Sequence, residues 1–358
     1  MGLTAPELVQ LCCGVYLFAR VLTIFPNLFG KKTCSKIPEG CVIGHRGSKE
    51  EGVPENTLLA FRDALIAGVD VIECDLYLSK DGQIVVHHDP TFERMTCGAC
   101  KDNVIDLDYK DYPEIVPSEG QKERIEVASK RANVSAGKNY KSSKQCKYHW
   151  HKVPLLADVL ECVPEDKGLI LEFKHDSDEL IDKVHGIIQS SSEKRQSNTL
   201  WFSLTKSINN KLGRKDSSIP RLSSLIEVLL AIVWWKVGIL PFMSTPLDVY
   251  GATMSELSES QVHKEKALRM LPSPIRSFIY SLLKGKPPAF LWQPKLYSYL
   301  RKKGKAIFLL GVNSETDAAI AQRCGATHIL TDKPNEVVAA INKRGLRFWP
   351  VQQDRNAN

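Results

Sequence analysis

A parallel (β/α)8 barrel is the fold this sequence predicts: an α/β protein of the TIM type with an inserted subdomain and an N-terminal membrane segment. Three observations predict it. From residue 41 onward, about eight short apolar runs of strand length alternate with stretches of helical period, the rhythm of a parallel sheet crossed over by helices. Acids, histidines and basic residues collect where several of those runs end, and the carboxyl ends of barrel strands form the functional rim of such a fold. No GxGxxG or P-loop is present to support the runner-up, a doubly wound open sheet.

The elements follow in order. Residues 41–44 (CVIG) read as a buried strand, and 56–67 as an amphipathic helix with Leu58, Leu59, Phe61, Leu65 and Ile66 suitably spaced. A strand over 71–78 leads through the turn Lys80-Asp81-Gly82 into a further strand over 84–88. Later strands fall at 169–173, 199–203, 249–254, 306–310 and 327–330, with helices over 178–190, 296–302 and 316–324. The stretch 97–152 breaks the rhythm. It is lysine-rich and poor in apolar periodicity, above all over 119–147, and reads as an inserted subdomain with a mobile middle. The barrel is expected over 41–345 and a tail over 346–358.

The run 8–29 (LVQLCCGVYLFARVLTIFPNLF) has about the length of a bilayer-spanning helix. Arg20 interrupts it and Pro26 stands near its end, while Glu7 and the lack of an early lysine or arginine suit a cleaved signal peptide poorly. A single membrane anchor over 1–36, at an endomembrane or the plasma membrane, is the expectation; a buried amphipathic helix is the plainer alternative. A second run, 225–243 (LIEVLLAIVWWKVGILPFM), holds Glu227, Lys236, Trp234 and Trp235. It suits a segment lying in the membrane interface about as well as an element of the core. Lys31, Lys32 and Lys36 point to a cytoplasmic barrel, whereas the sequon Asn133-Val134-Ser135 would be used only in a lumenal loop.

The net charge of +7 is mild and widely spread, which fits an anionic lipid or small molecule better than a nucleic acid. Ten cysteines form no framework. The lone CxxC at Cys97 and Cys100 lacks the further ligands that structural zinc needs; a disulfide among Cys97, Cys100 and Cys146 would suit an oxidising compartment.

Side chains alternate along a strand, so Glu73 and Asp75 share one face of VIECDL and Glu172 and Lys174 share one face of LILEFK. Two carboxylates held together repel unless neutralised, and a hard divalent cation does this well. The run IVVHHD ends in His87, His88 and Asp89, with the two imidazoles facing opposite sides. Histidine near neutral pH both takes and gives protons, and a guanidinium such as Arg46 offsets an anionic substrate.

Taken in order, His45-Arg46-Gly47, Pro54-Glu55-Asn56-Thr57, Glu73-x-Asp75, Lys80-Asp81-Gly82, His88-Asp89, Glu172-x-Lys174 and Leu330-Thr331-Asp332-Lys333-Pro334 resemble the motifs of the glycerophosphodiester phosphodiesterase family. The apolar start and the segment around Trp234 resemble that family's animal membrane-anchored branch, whose members cleave glycerophosphoinositol or lysophospholipids. The resemblance implies metal-dependent hydrolysis of glycerophosphodiesters or lysophospholipids at a membrane, with no nucleic acid as partner. The products would be an alcohol and glycerol-3-phosphate or lysophosphatidic acid. It implies that His45 and His88 form the acid–base pair and that Glu73, Asp75 and Glu172 hold one divalent cation, Mg2+ or Ca2+. Arg46 would grip the phosphate, Lys174 would lie near the substrate oxygens, and Glu55 would lie beside the metal. The glycerol 2-hydroxyl would attack first, direct attack by water being the other route. Lys49, Glu50 and Glu51 are left as ordinary solvated residues.

Two departures from the family pattern stand out. Ser48 follows His45-Arg46-Gly47 where the family has a second glycine, and 307–313 (IFLLGVN) lacks the family's tryptophan, which opens the shape of the substrate wall. The reading from another class is a lipid-binding barrel without catalysis; the presence of both histidines and all three acids speaks against it. A barrel resembling phosphoinositide-specific phospholipase C would explain the histidines and a metal, but not the ENT and TDKP runs.

Overall fold

The structure, a computed structural model, describes residues 4–24, 42–117, 119–136, 150–243, 248–254, 272–284 and 290–348. The strands are β1 (Val42–Gly44), β2 (Val71–Leu78), β3 (Ile84–Val86), β4 (Gly168–Phe173), β5 (Thr199–Phe202), β6 (Val249–Thr253), β7 (Ala306–Leu310) and β8 (His328–Thr331). Seven of them lie in the order β5-β4-β2-β1-β8-β7-β6, every neighbouring pair parallel. The two ends of this curled sheet meet through residues 221–222: Arg221 bridges to Trp201 of β5 and Leu222 to Val249 of β6, both in parallel sense. That strip is the eighth stave of the barrel. Its paired length is too short for a period of two to show in the sequence.

The strand β3 corrects the expectation of a barrel strand over 84–88. It pairs antiparallel with β2, Leu78 opposite Ile84 and Leu76 opposite Val86, and lies off the ring. Residues 79–83 alone separate the two strands. A hairpin needs no more, whereas a parallel crossover takes a dozen or more residues.

The helices are α1 (Ala5–Ile24), α2 (Leu58–Ala67), α3 (Glu119–Ala136), α4 (Leu156–Cys162), α5 (Asp178–Gln189), α6 (Glu193–Ser197), α7 (Lys206–Lys215), α8 (Leu225–Lys236), α9 (Ser273–Leu282), α10 (Pro294–Lys302), α11 (Glu315–Arg323) and α12 (Pro334–Arg344). Alternation divides each strand between two apolar layers. Ile43, Val71, Ile170, Leu200, Val249 and Phe308 fill the barrel interior, and Ile72, Cys74, Leu76, Leu171 and Leu309 pack under the helices. Because Val71 points inward, so do Glu73 and Asp75 two and four residues later. A one-residue slip of β2 would bury both acids under the helices and unseat several side chains worth roughly 1.5–3 kcal/mol each.

Within 97–152, read as an inserted subdomain with a mobile middle, the structure holds a helix that the periodicity did not mark. Residues 119–136 form α3, which packs on α2 through Ile125 and Ala128 against Val53, Leu59 and Ala60. Its apolar stripe is narrow, and its glutamates, lysines and alanines are strong helix formers that a search for amphipathic period passes over. The sequon Asn133-Val134-Ser135 lies in the last turn of α3. Cys97 and Cys100 are free thiols. Residues 137–149 of that stretch, Cys146 among them, the lysines at 31, 32 and 36, and most of the tail lie outside the described residues.

The run 225–243 divides in two. Residues 225–236 form α8, whose Val228, Ala231, Ile232 and Trp235 are buried in the core, while Val237, Ile239, Phe242 and Met243 beyond it are exposed. Glu227 anchors the start of α8, accepting from the Ser224 backbone N–H at 2.8 Å and from Asn209 Nδ2 at 3.0 Å.

Candidate active site

The loop after β1 is shaped by backbone conformation. Arg46 and Asn56 adopt left-handed φ values of 56° and 57°, and Gly47 one of 83°. A Cβ on Gly47 would lie 2.6 Å from the Ala60 carbonyl carbon, so only glycine fits there. Ser48 is buried and has no such φ, which explains how a serine replaces the family's second glycine. The turn brings the Arg46 backbone N–H to Glu73 Oε2 at 2.8 Å, and its side chain to Asp75 Oδ2 at 3.1 Å and Glu55 Oε1 at 2.8 Å.

Glu73, Asp75 and Glu172 are all buried, and one carboxylate oxygen from each lies within 4.8 Å of the others. Lys174 Nζ stands 3.0 Å from Asp75 Oδ1 and 2.7 Å from Glu172 Oε1, and Asn56 Nδ2 donates to Asp75 Oδ2 at 2.7 Å. Burial and the charges of Asp75 and Glu172 push the Glu73 carboxyl well above its ordinary range. Burial acts on Asp75 in the same sense, but Lys174 and Arg46 outweigh it and hold that carboxyl low. Glu73 Oε1 is buried with no hydrogen-bond partner. Three buried carboxylates, one with an unsatisfied oxygen, form a hard oxygen-donor set that fits a divalent cation such as Mg2+ or Ca2+.

Each histidine is seated by an aspartate. His45 Nδ1 lies 2.7 Å from Asp332 Oδ1, and His88 Nδ1 lies 2.7 Å from Asp89 Oδ1. A carboxylate at Nδ1 holds the proton on that nitrogen and turns Nε2 away from it, free for chemistry. Each aspartate has its own cation: Lys49 Nζ is 2.5 Å from Asp332 Oδ1, and Arg94 Nε donates to Asp89 Oδ2 at 2.6 Å. Burial and the neighbouring Arg46 charge lower the His45 imidazole to about 4, and burial also lowers His88. Both rings are therefore neutral near pH 7. His87 points the other way, buried against Phe92 with Nε2 3.1 Å from the Thr91 carbonyl.

A cavity of about 230 Å3 opens at the carboxyl ends of the strands, and His45, Arg46, Glu73, His88, Glu172, Lys174 and Asp332 line one side of it. The rest of the lining is mostly apolar, with Phe202, Leu204, Leu222, Val228, Leu291 and Leu310. Leu310 and Gly311 belong to the stretch without the family's tryptophan, and both face the cavity.

Of the residues singled out from sequence, the structure brings His45, His88, Arg46, Glu73, Asp75, Glu172 and Lys174 together. Glu55, expected beside the metal and not among its ligands, stands outside the three-carboxylate cluster and grips guanidinium groups, with Arg46 at 2.8 Å and Arg94 at 2.6 Å. Burial opposes its charge, yet Arg46, Arg94 and Lys49 hold it down to about 2.

Two of the residues set aside as solvated are otherwise engaged. Lys49 pairs with Asp332, and Glu50 accepts from the backbone N–H of Asn335 at 3.1 Å and of Glu336 at 2.8 Å, capping α12. Sequence reasoning gave no role to Asp332, Asp89, Arg94 or Asn313. Asn313 fixes Asp332, accepting from its backbone N–H at 2.8 Å and donating to its Oδ2 at 3.1 Å. The inward position of Asp332 was readable by alternation from Leu330; its histidine partner 287 residues away was not.

Comparison with known proteins adds to this geometry. The model of the glycerophosphoryl diester phosphodiesterase family matches residues 45–336. Lysophospholipase D GDPD1 of Rattus norvegicus is 28% identical over 300 residues, 84% of this chain and 85% of its own length. The crystal structure of a glycerophosphodiester phosphodiesterase from Agrobacterium tumefaciens shares the fold with a TM-score of 0.55, at 18% identity, covering 84% of this chain and 100% of that one. An Oleispira antarctica phosphodiesterase, solved in complex with the product sn-glycerol-3-phosphate, gives a TM-score of 0.51 at 18% identity over 85% of this chain and 97% of its own.

Proposed function

Since the chain belongs to the glycerophosphoryl diester phosphodiesterase family, we propose that it hydrolyses glycerophosphodiesters and lysophospholipids with His45 and His88 as its acid–base pair. One observation carries the reading: two imidazoles, each seated by an aspartate, line the same cavity as Arg46, Lys174 and the carboxylate cluster.

Arg46 and Lys174 attract the phosphodiester and offset its charge. The two histidines start neutral, and the bound anion favours protonation of one of them. The neutral ring takes the proton of the attacking hydroxyl, the glycerol 2-hydroxyl or a water, as its oxygen bonds to phosphorus. The protonated ring gives its proton to the alcohol oxygen as that P–O bond breaks. If the 2-hydroxyl attacks, a water then opens the cyclic phosphate with the roles of the rings exchanged. The net reaction consumes one water and yields an alcohol with glycerol-3-phosphate or lysophosphatidic acid. Glu73, Asp75 and Glu172 would hold a divalent cation, which when bound adds positive charge opposite the phosphate oxygens.

The apolar wall supports an acyl-bearing substrate, because a glycerol head group alone has no use for Leu222, Val228, Leu291 and Leu310. The test is to supply the full chain with glycerophosphocholine, glycerophosphoinositol or lysophosphatidylcholine, in Mg2+ or Ca2+ separately. Head-group alcohol should be released with glycerol-3-phosphate or lysophosphatidic acid, and chelator should stop it; no release from any of the three would refute the reading. Leu310→Trp, which fills the apolar side, should lower kcat/KM for lysophosphatidylcholine roughly 10-fold or more relative to glycerophosphocholine. An equal effect on both substrates would remove the acyl chain from that wall.

Asp332→Asn should lower kcat by about 10²-fold, since an amide does not hold the proton on His45 Nδ1 as a carboxylate does. Substrate affinity should hardly change and the acid limb of the pH–rate profile should move; a parental profile would reduce Asp332 to a structural role.

We also read α1 as a membrane anchor. It is long and apolar enough to cross a bilayer, and most of its first half is exposed.

A further inference from the structure

A groove of about 510 Å3 lies in the seam between α1 and the barrel, lined by Tyr16 of α1, Trp235 and Lys236 at the end of α8, and Gln293, Pro294 and Lys295 at the start of α10. The second half of α1 is fixed against the barrel. Ala19 and Leu22 are buried, Phe18 stacks on Phe242 with ring centroids 6.2 Å apart, and the Tyr16 ring lies 3.1 Å from where a Cβ on Gly238 would stand. The first half is free, with Leu8 and Val9 exposed at 52% and 61%. The exposed apolar residues Val237, Ile239 and Met243 lie in the turn beside this seam, and exposed Ile275 and Phe278 lie on α9. An apolar surface of this extent built from separate elements marks contact with lipid or protein.

Charge and depth favour lipid. Among the described residues neither Lys236 nor Lys295 makes an ion pair, so the groove carries two uncompensated positive charges. Tyr16, exposed on α1, is an aromatic of the type that settles at the level of lipid head groups, while Trp235 is buried and forms the floor of the groove. From Ala5 to Val15 the free half of α1 rises about 15 Å, roughly one leaflet of the hydrocarbon core. With the Tyr16 ring at the interface, both lysines, which line the same groove, stand at phosphate depth and the free half of α1 runs beside the acyl chains.

We propose that this seam binds one anionic phospholipid, its phosphate between Lys236 and Lys295 and its chains along the first half of α1. The site is separate from the catalytic cavity, with which it shares no lining residue. It rests on the reading of α1 as a membrane anchor.

The experiment uses the full chain, purified in detergent, and native mass spectrometry with phosphatidylinositol or phosphatidylcholine. The parent should retain phosphatidylinositol at least about 10-fold more than phosphatidylcholine, and the double variant Lys236→Gln/Lys295→Gln should lose that preference. Hydrolysis of glycerophosphocholine by the double variant should match the parent, which shows that it is folded. Equal lipid preference in parent and variant overturns the site, as does full displacement of the lipid by inorganic phosphate at the same concentration. Flotation with pure phosphatidylcholine vesicles separates the two readings. A parent that floats but shows no phosphatidylinositol preference defeats the site alone, and one that fails to float defeats the anchor and the site together.

Discussion

His88→Ala is expected to lower kcat on glycerophosphocholine by about 10²–10⁴-fold, with KM little changed, and His45→Ala should do the same. The expectation follows from two like assemblies facing one cavity: His45 seated by Asp332 and Lys49, His88 by Asp89 and Arg94. One cleavage needs both a proton acceptor and a proton donor, so the loss of either ring stalls the same step. The double variant should therefore be hardly slower than the worse single one, because residues acting as a unit do not add. Steady-state kinetics on variants with parental thermal unfolding decide the matter. Full activity in folded His88→Ala would show that the acid and base lie elsewhere.

Glu73→Gln is expected to act in opposite directions on the metal-free and the metal-loaded protein. Without metal, burial and the charges of Asp75 and Glu172 hold the Glu73 carboxyl well above its ordinary value of 4.5. The folded chain then keeps a proton that the unfolded chain has released, so stability is full below about pH 4.5 and falls as pH rises through the folded value. A neutral glutamine removes that loss, and the chelated variant should melt above the chelated parent at pH 8. With metal the order should reverse. Removing a ligand should weaken divalent-cation affinity by at least about 10²-fold, since lesser changes around metal sites already cost 10–100-fold. The parent then gains the greater stabilisation by mass action. Thermal melts with chelator, Mg2+ and Ca2+ read both halves at once; the same melting order in every condition would place the cation away from Glu73.

Much of the site was legible because strand alternation is a local rule. Val71, Glu73 and Asp75 had to share a face, as did Ile170 and Glu172, and only the choice of inner or outer face awaited the fold. Motif order then tied His45, Arg46, His88 and Lys174 to the same rim. The hairpin at β2–β3 was legible too, from the five residues that separate the strands, but the barrel rhythm concealed it. Helix α3 and the 221–222 stave left only a narrow stripe and a pair of bridges, signals below what periodicity resolves.

The sequence by itself determined the barrel class, the shared face of the carboxylates and the residues that meet at the rim, because period and spacing act within a few residues along the chain. Only the tertiary structure decided what each charge is for. Lys49 reads as one more solvated lysine until β8 lies beside β1 and brings Asp332 to it. Glu55 reads only as a group beside the metal site, and the fold alone shows Arg46 and Arg94 closing on it. Tyr16 and Lys295 are 279 residues apart and line one groove only because α1 docks against the barrel. Coulomb energy depends on distance in space, and separation along the chain carries no measure of it.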